Sequence, residues 1–523
     1  MMSMTFPPSG STFATMSVAN ILADTATRQG ERPAVHFAGT TTTYAQLWEE
    51  TRRYAGALRG LGITVGSRVA LMAPNVPDFP RAYYAILSLG AIVVPVHPLF
   101  KTDEIAFVLR DSEADLLIAA APFLADAGAA AAAVQVPLTT VLLPEGAAPG
   151  VPRLEAQAVD ATPLDEITPM HPLAPATILY TSGTSGTPKG AVSSHLSIIE
   201  QVHCALIDSL ELRVDDVLFG GLPLFHTFGQ TAVMNTAFRR GASIVLLPRF
   251  EAEEALALMH SHDVTVLCAV PTMFIDLLRA ADAASSKPHV RLAISGGAAL
   301  PAVIHDRFHD SFGARIHEGY GLTETNPVVS FNRADEMPHP GTAGRPLWGV
   351  QVAIADALIE ERIVLLDDPA AVGEVVVRGH NLFNGYLNAP ETTAATVVDG
   401  WFRTGDLGVI TDGLITIVDR KKDMIIRNGY NVYPTEVENA LAAHPDVLSV
   451  SVFGVSDDRT GQEIHAAYVL RDGAELGEDA LIEFAREHIG SHKYPRIAHR
   501  VDTLPLGASG KVLRRSLVDQ FGG

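Results

Sequence analysis

Residues 180–190 read YTSGTSGTPKG, with three glycines, five Ser or Thr hydroxyls and one lysine in eleven positions. These are the residue types an anion site needs. Backbone N–H groups and hydroxyls can converge on one phosphate oxygen, and Gly183 and Gly186 permit positive φ and close approach. The Walker A order, Gly-Lys-Ser/Thr, is broken here by Thr187-Pro188-Lys189-Gly190. On these residues alone, a phosphate loop and a mobile Gly/Ser linker fit equally well.

Two further stretches carry groups of the same kind. Residues 318–327 read EGYGLTETNP. Tyr320, flanked by glycines, can lay its ring against a flat heterocycle. Thr323 can bond a phosphate oxygen, and Glu324 is an oxygen ligand suited to Mg²⁺. Alone, this stretch reads better as a polar loop. Residues 400–408 read GWFRTGDLG. They place Asp406 in a glycine turn just ahead of a strand, where a carboxylate can accept from both hydroxyls of a ribose. A lone Asp between glycines is ordinarily turn chemistry. Lys511, near the end of the chain, reads by itself as part of a solvated tail.

Such groups need a frame to hold them. Residues 17–60 carry helical periodicity. Short apolar runs at 68–72, 91–96 and 116–119 then alternate with helical segments near 78–89 and 101–111. This alternation predicts an α/β chain with a largely parallel sheet. The alanine-rich stretch 119–135 predicts a surface helix on a variable loop, and 144–175 a crossing loop. Residues 177–180 predict a strand that ends at the glycine-rich turn, with a helix from about Ser193. Runs at 217–220, 243–247, 264–269 and 292–295 continue the alternation. From about 341, short strands between Gly and Asp turns predict a small β-rich barrel or sheet. After Asp419 a compact αβ module runs to the end, with a boundary near 420.

The whole chain bounds the function. Its 523 residues exceed one core, and 47% hydrophobic with 19% charged residues is globular composition. Against 38 basic residues stand 59 acidic ones, a net charge of −21. Nucleic acid and anionic lipid are therefore not the expected partners. Two cysteines, Cys204 and Cys268, exclude a disulfide framework or a Cys-rich zinc site and fit a reducing, cytoplasmic compartment. No signal-peptide pattern is read at the N-terminus, and apolar runs such as 85–94 are too short to span a bilayer.

Taken together and in this order, the three stretches resemble the adenylate-forming superfamily of acyl- and aryl-CoA synthetases, luciferases and peptide-synthetase adenylation domains. The resemblance runs from Thr43-Tyr44 to Lys511. It includes LPLFHTFGQ (222–230), SGGAALP (295–301), GRPLWG (344–349), DRKKDMIIRNGYNVYPTEVE (419–438) and PLGASGKVLRR (505–515). It implies an α/β fold with a large N-terminal domain, 1–420, of two sheet-and-helix layers plus a β-barrel. A small α+β C-terminal lid, 421–523, would follow. It implies a reaction as well: a carboxylic acid and Mg-ATP give an acyl-adenylate and pyrophosphate, and a thiol, usually CoA, then attacks.

Carried over residue by residue, the resemblance puts Thr181, Ser182, Gly183, Thr184, Ser185, Gly186 and Lys189 on the β- and γ-phosphates. Ser185 stands where the family often has Thr, and the hydroxyl is kept. Gly297, Ala298 and Ala299 would line the adenine, with Tyr320 stacked on it. Thr323 would touch the α-phosphate, Glu324 would hold Mg²⁺, and Asp406 and Arg420 would bind the ribose. Lys511 would bridge carboxylate and phosphate in the first half-reaction, with Gly507 and Gly510 keeping its turn slim. His226 would gate the acyl tunnel or flank the carboxylate. Lys422 would be the hinge about which the lid turns, one pose presenting Lys511 and the other opening a thiol path beside Gly429 and Tyr430. Asn428-Gly429 replaces the usual Gly-Gly there. Arg427, Lys493 and Arg496 would meet the CoA phosphates.

The region 222–235 carries no acid to hold an α-amino group. The expected pocket walls, 225–235, 270–274 and 319–329, offer no partner to a second buried charge. A medium- or long-chain fatty acid is the expected substrate, as in the bacterial fatty-acyl-CoA ligases that 222–250 most resembles. An aromatic acid or an adenylating amide synthetase is the alternative. CoA is the expected acceptor. Outside the class stand a non-catalytic nucleotide-binding relative, which would lack Lys511, Glu324 or Asp406, and a P-loop NTPase, which the Thr-Pro-Lys-Gly order disfavours.

Overall fold

The computed structural model describes residues 15–181, 188–284, 286–368, 370–471, 473–506 and 512–522. A six-stranded sheet runs in the order Leu138–Val141, Leu116–Ala120, Arg68–Met72, Ile92–Pro95, Pro175–Thr181, Lys189–Ser194. Its first five strands are parallel and the last is antiparallel. A nine-stranded sheet has a parallel centre of Ile316–Tyr320, Leu292–Ser295, Val266–Ala269, Val217–Gly220, Ser243–Leu246 and Pro33–Phe37. Short antiparallel strands flank it at both ends. The central strands are apolar and buried along their length, as strands covered on both faces must be.

Local sequence explains many of the connections. Helix Tyr44–Gly60 starts in a capping box: Gln46 N donates to Thr43 Oγ1 (3.3 Å) and Thr43 N to Gln46 Oε1 (2.9 Å). The helical periodicity expected over 17–60 is interrupted by a hairpin, Pro33–Phe37 with Thr40–Thr43. The predicted crossing loop holds a helix, Leu154–Asp160. Nearby, a Cβ on Gly56 would lie 2.1 Å from the Thr162 carbonyl oxygen, so only glycine lets the chain cross there. The alanine-rich helix, Leu124–Val134, is an integral layer rather than a surface decoration. Ala127, Ala130 and Ala131 are buried, and their small side chains let it lie close to helix Thr102–Asp111.

A third sheet is wholly antiparallel and has five strands: Val350–Ala355, Gly373–Gly379, Trp401–Thr411, Val397–Val398 and Leu414–Arg420. It is the expected β-barrel in the form of a curled half-barrel. The remaining sheet pairs Tyr430–Val432, Ile425–Arg427, Gly461–Leu470 and Val447–Asp457, with Ile497–Arg500 parallel to Gly461–Leu470. Helices Pro434–Ala442, Glu478–His488 and Arg514–Phe521 accompany it. It has apolar cores of its own, around Ile425, Val437 and Ile464 and around Phe453 and Leu517. This is a small C-terminal α+β domain. The turn before it places Lys422 in solvent, with Lys421 N donating to Gly405 O (2.8 Å) and Asp423 N to Arg420 O (3.0 Å). Among the described residues, no helix is long and apolar enough to cross a membrane, and both cysteines are free and buried.

One buried group predicts acid sensitivity. His195, fully buried, accepts from Val18 N at Nδ1 (3.1 Å), and burial pulls its imidazole down to about 4. Its unfolded value is 6.5, so protons favour the unfolded chain. The contribution is whole above pH 6.5 and is lost as pH falls toward 4, a difference of roughly 3 kcal/mol. The thermal midpoint should fall more steeply over this window in the native protein than in His195→Asn. Equal slopes would contradict the assignment.

Candidate active site

Loops leaving the C-terminal ends of parallel strands converge on one region, where open α/β sheets bind ligands. Strand Pro175–Thr181 leads to the glycine-rich stretch. Thr181 pairs with Lys189 and Tyr180 with Gly190, antiparallel. The stretch therefore joins two paired strands and is not the strand-to-helix turn expected. Lys189–Ser194 is held as a strand by partners on both sides, and the helix begins at His195, where Ser197 N donates to the Ser194 cap (3.0 Å). Ser182, Gly183, Thr184, Ser185 and Gly186 lie outside the described residues, as do Gly507, Gly510 and Lys511.

Lys189 Nζ stands 5.6 Å from the centre of the Tyr386 ring, and Tyr386 Oη donates to Glu324 Oε1 (2.7 Å). Glu324 is buried in the short turn Thr323–Thr325, and Thr323 beside it is half-buried. Among the described residues, no Lys, Arg or His pairs with the Glu324 carboxylate, and no group of three His, Cys, Asp or Glu forms a metal cage. A single buried carboxylate with no cation of its own suits a hard ion that draws its other oxygens from substrate phosphates and water. Sequence reasoning missed Tyr386. Within GHNLFNGYLN its only signal is a tyrosine after a glycine, which reads as an ordinary turn.

The acid expected at the ribose is also a hub. Asp406 is buried, accepts from Tyr320 Oη at Oδ2 (2.6 Å), and lies 3.4 Å from Arg420 Nε, its cross-strand partner. It sits within strand Trp401–Thr411 and not in a turn ahead of one. Gly405, at φ +72°, kinks the strand without ending it. Burial, and then the Asp406 carboxylate, push the Tyr320 phenol far above its ordinary value, so it remains a donor.

Gly297, Ala298 and Ala299 form an exposed loop after strand Leu292–Ser295. Leu300 N anchors its far end on Glu318 Oε2 (3.3 Å), and Glu318 Oε1 also accepts from Gly341 N (3.1 Å). A Cβ on Gly296 would lie 3.1 Å from the Phe228 ring, which brings the 222–230 segment against this loop. His226 is half-buried there and accepts from Phe228 N at Nδ1 (3.2 Å). A wide, π-helical run, Phe228–Asn235, follows, a rare form frequent at functional sites. Nothing in the sequence pattern announced it.

In the small domain, Arg427 faces Tyr430 across the two-residue turn Asn428-Gly429, both at positive φ, as a tight hairpin of this type requires. Gly429 opens on free space and Tyr430 is exposed. The three basic residues expected at CoA phosphates are occupied otherwise. Arg427 makes a two-pronged pair with Glu463 (2.6 and 2.9 Å), Lys493 pairs with Glu436 (2.7 Å), and Arg496 lies 3.4 Å over the Tyr494 ring. Each thus has a partner within the domain. A cavity of about 640 Å³ lined by Arg28, Arg213, Arg239 and Arg240 holds none of the site residues. Arg28 and Arg239 there already share Asp24.

Known proteins share this fold and much of this sequence. Residues 22–387 match the family described as AMP-binding enzyme, and 436–511 its C-terminal domain. The chain is 32% identical to the long-chain-fatty-acid–CoA ligase of Bacillus subtilis (strain 168), over 96% of this chain and 94% of that one. It is 34% identical to a feruloyl-CoA synthase of an Amycolatopsis species, over 94% and 96%. Its fold matches ATP-bound MatB from Rhodopseudomonas palustris with a TM-score of 0.87 at 31% identity, covering 97% of this chain and 99% of that one. The chain belongs to the adenylate-forming superfamily of AMP-binding enzymes, as an acid–CoA ligase.

Proposed function

We propose that the protein joins a medium- or long-chain fatty acid to CoA at the expense of ATP, through an acyl-adenylate. The observation that carries the reading is the pairing of two clusters at the strand ends. Asp406, Tyr320 and Arg420 suit a nucleoside, and Lys189, Tyr386 and Glu324 suit its phosphates. In this reading Asp406 and Arg420 take the ribose hydroxyls, and Gly297, Ala298 and Ala299 lie along the adenine with the Tyr320 ring. Thr323 bonds the α-phosphate. Thr181, Lys189 and the residues between them hold the departing pyrophosphate. Glu324 holds Mg²⁺, which when bound neutralises phosphate charge. His226 and Phe228 border the acid. Residues 1–420 are the adenylating body and 421–523 the lid, with its pivot at Lys422. Gly429 and Tyr430 line the thiol path.

Support for a fatty acid comes from 222–235, which lacks any charge beyond His226, and from the likeness to the Bacillus ligase. The feruloyl-CoA synthase supports an aryl acid as the second reading. ATP–pyrophosphate exchange with saturated acids of graded length, ferulate and malonate tests both. Exchange is expected to be fastest with a fatty acid. Fastest exchange with ferulate would overturn the fatty-acid assignment, and no exchange with any acid would overturn the ligase.

A further inference from the structure

We infer that Tyr386 is a positioning residue, one side chain that sets the cation-holding carboxylate of Glu324 and the phosphate-holding amine of Lys189 in register. The inference rests on the nucleotide reading above and deepens it. The phenol donates to Glu324 Oε1 (2.7 Å), and the other carboxylate oxygen has no hydrogen bond among the described residues. The carboxylate is thus turned by one oxygen and left to ligate through the other. The face of the same ring carries Lys189 Nζ at 5.6 Å. A cation over an aromatic face is held by a fraction of the attraction that a phosphate would exert. The amine is therefore kept near its post without being bound too tightly to leave it.

Tyr386 can serve as such a reference point because it is itself fixed. Its N–H donates to Thr393 Oγ1 (2.9 Å), and its ring meets Phe383 edge-on at 4.9 Å. On one side of the ring's segment, Asn384 N donates to Val192 O (2.7 Å), Val192 N to Gly385 O (3.0 Å) and Leu387 N to Gly190 O (2.8 Å). On the other, Phe383 N donates to Glu324 O (2.9 Å). Residues 383–387 are a strap stitched by its backbone to the strand that bears Lys189 and to the turn that bears Glu324.

Two substitutions separate the roles. Tyr386→Phe removes the phenol and keeps the ring, and Tyr386→Leu removes both. The readouts are Mn²⁺ binding in the presence of ATP, by electron paramagnetic resonance, and the Mg²⁺ and ATP dependence of pyrophosphate exchange. Groups that orient metal ligands typically account for tenfold or more in metal affinity. The Phe variant should therefore require about tenfold more Mn²⁺ or Mg²⁺, with the KM for ATP at saturating cation unchanged. The Leu variant should match it in cation requirement and raise the KM for ATP as well. Native cation dependence in the Phe variant would overturn the carboxylate half. An unchanged KM for ATP in the Leu variant would overturn the lysine half. Absence of exchange in the native protein would strike instead at the ligase reading, and Mn²⁺ binding with ATP alone would still decide the role of Tyr386.

Discussion

Lys511→Ala is expected to lower acyl-adenylate formation by about 10³-fold while thioester formation from supplied acyl-AMP and CoA stays near the native rate. The reason is electrostatic. Attack of a carboxylate on the α-phosphorus brings two anions together, and at about 4 Å and an effective dielectric near 20 two unit charges interact by about 4 kcal/mol. A fixed ammonium bridging both sets of oxygens removes a term of that size, which corresponds to about 10³ in rate. The second half-reaction has no such pair, since the thiol meets a neutral acyl carbon. Single-turnover rates for each half-reaction, measured separately, check the split. Equal losses in both would show that Lys511 acts on folding or on lid movement and not on the first step.

Asp406→Ala is expected to raise the KM for ATP by about a hundredfold, and Asp406→Asn by about tenfold. A buried carboxylate accepting from two ribose hydroxyls makes charge-assisted bonds of about 1.5–3 kcal/mol each. Alanine removes both and also leaves Tyr320 Oη and Arg420 without their partner. Asparagine keeps an acceptor for Tyr320. The decisive measurement pairs the variants with 2′-deoxy-ATP and 3′-deoxy-ATP. The native enzyme should discriminate against both, and Asp406→Ala should treat them nearly as it treats ATP. That non-additivity isolates the contact between this carboxylate and the sugar. A variant that still discriminates as the native protein does would place the ribose elsewhere.

The parallel strands could be read from the chain because each is a short apolar run between helical segments. The runs at 217–220 and 292–295 coincide with Val217–Gly220 and Leu292–Ser295. Asp406 and Tyr320 were legible as candidates because adjacent glycines set them apart, and Glu324, between two threonines, through the resemblance of the ordered motifs. What was not legible depends on partners distant in sequence. Lys189–Ser194 is a strand because Pro175–Thr181 pairs with one side and residues 384–387 with the other, and the second partner lies nearly two hundred positions away. Tyr386 gains its place by the same distant pairing. Arg427, Lys493 and Arg496 looked free as a cluster of charge, and only the folded domain shows Glu463, Glu436 and Tyr494 against them. Alanines 127, 130 and 131 carry too weak a pattern to announce a buried face.

The strap at residues 383–387 also bears on how the molecule behaves in a crowded solution. The six-stranded sheet ends at Lys189–Ser194, and the last strand of any open sheet presents unpaired N–H and C=O groups that can recruit another chain. Here Val192 gives and takes one hydrogen bond each with the strap, and Gly190 takes a third. The border of the sheet is thereby closed to self-association along residues 190–192, next to Lys189.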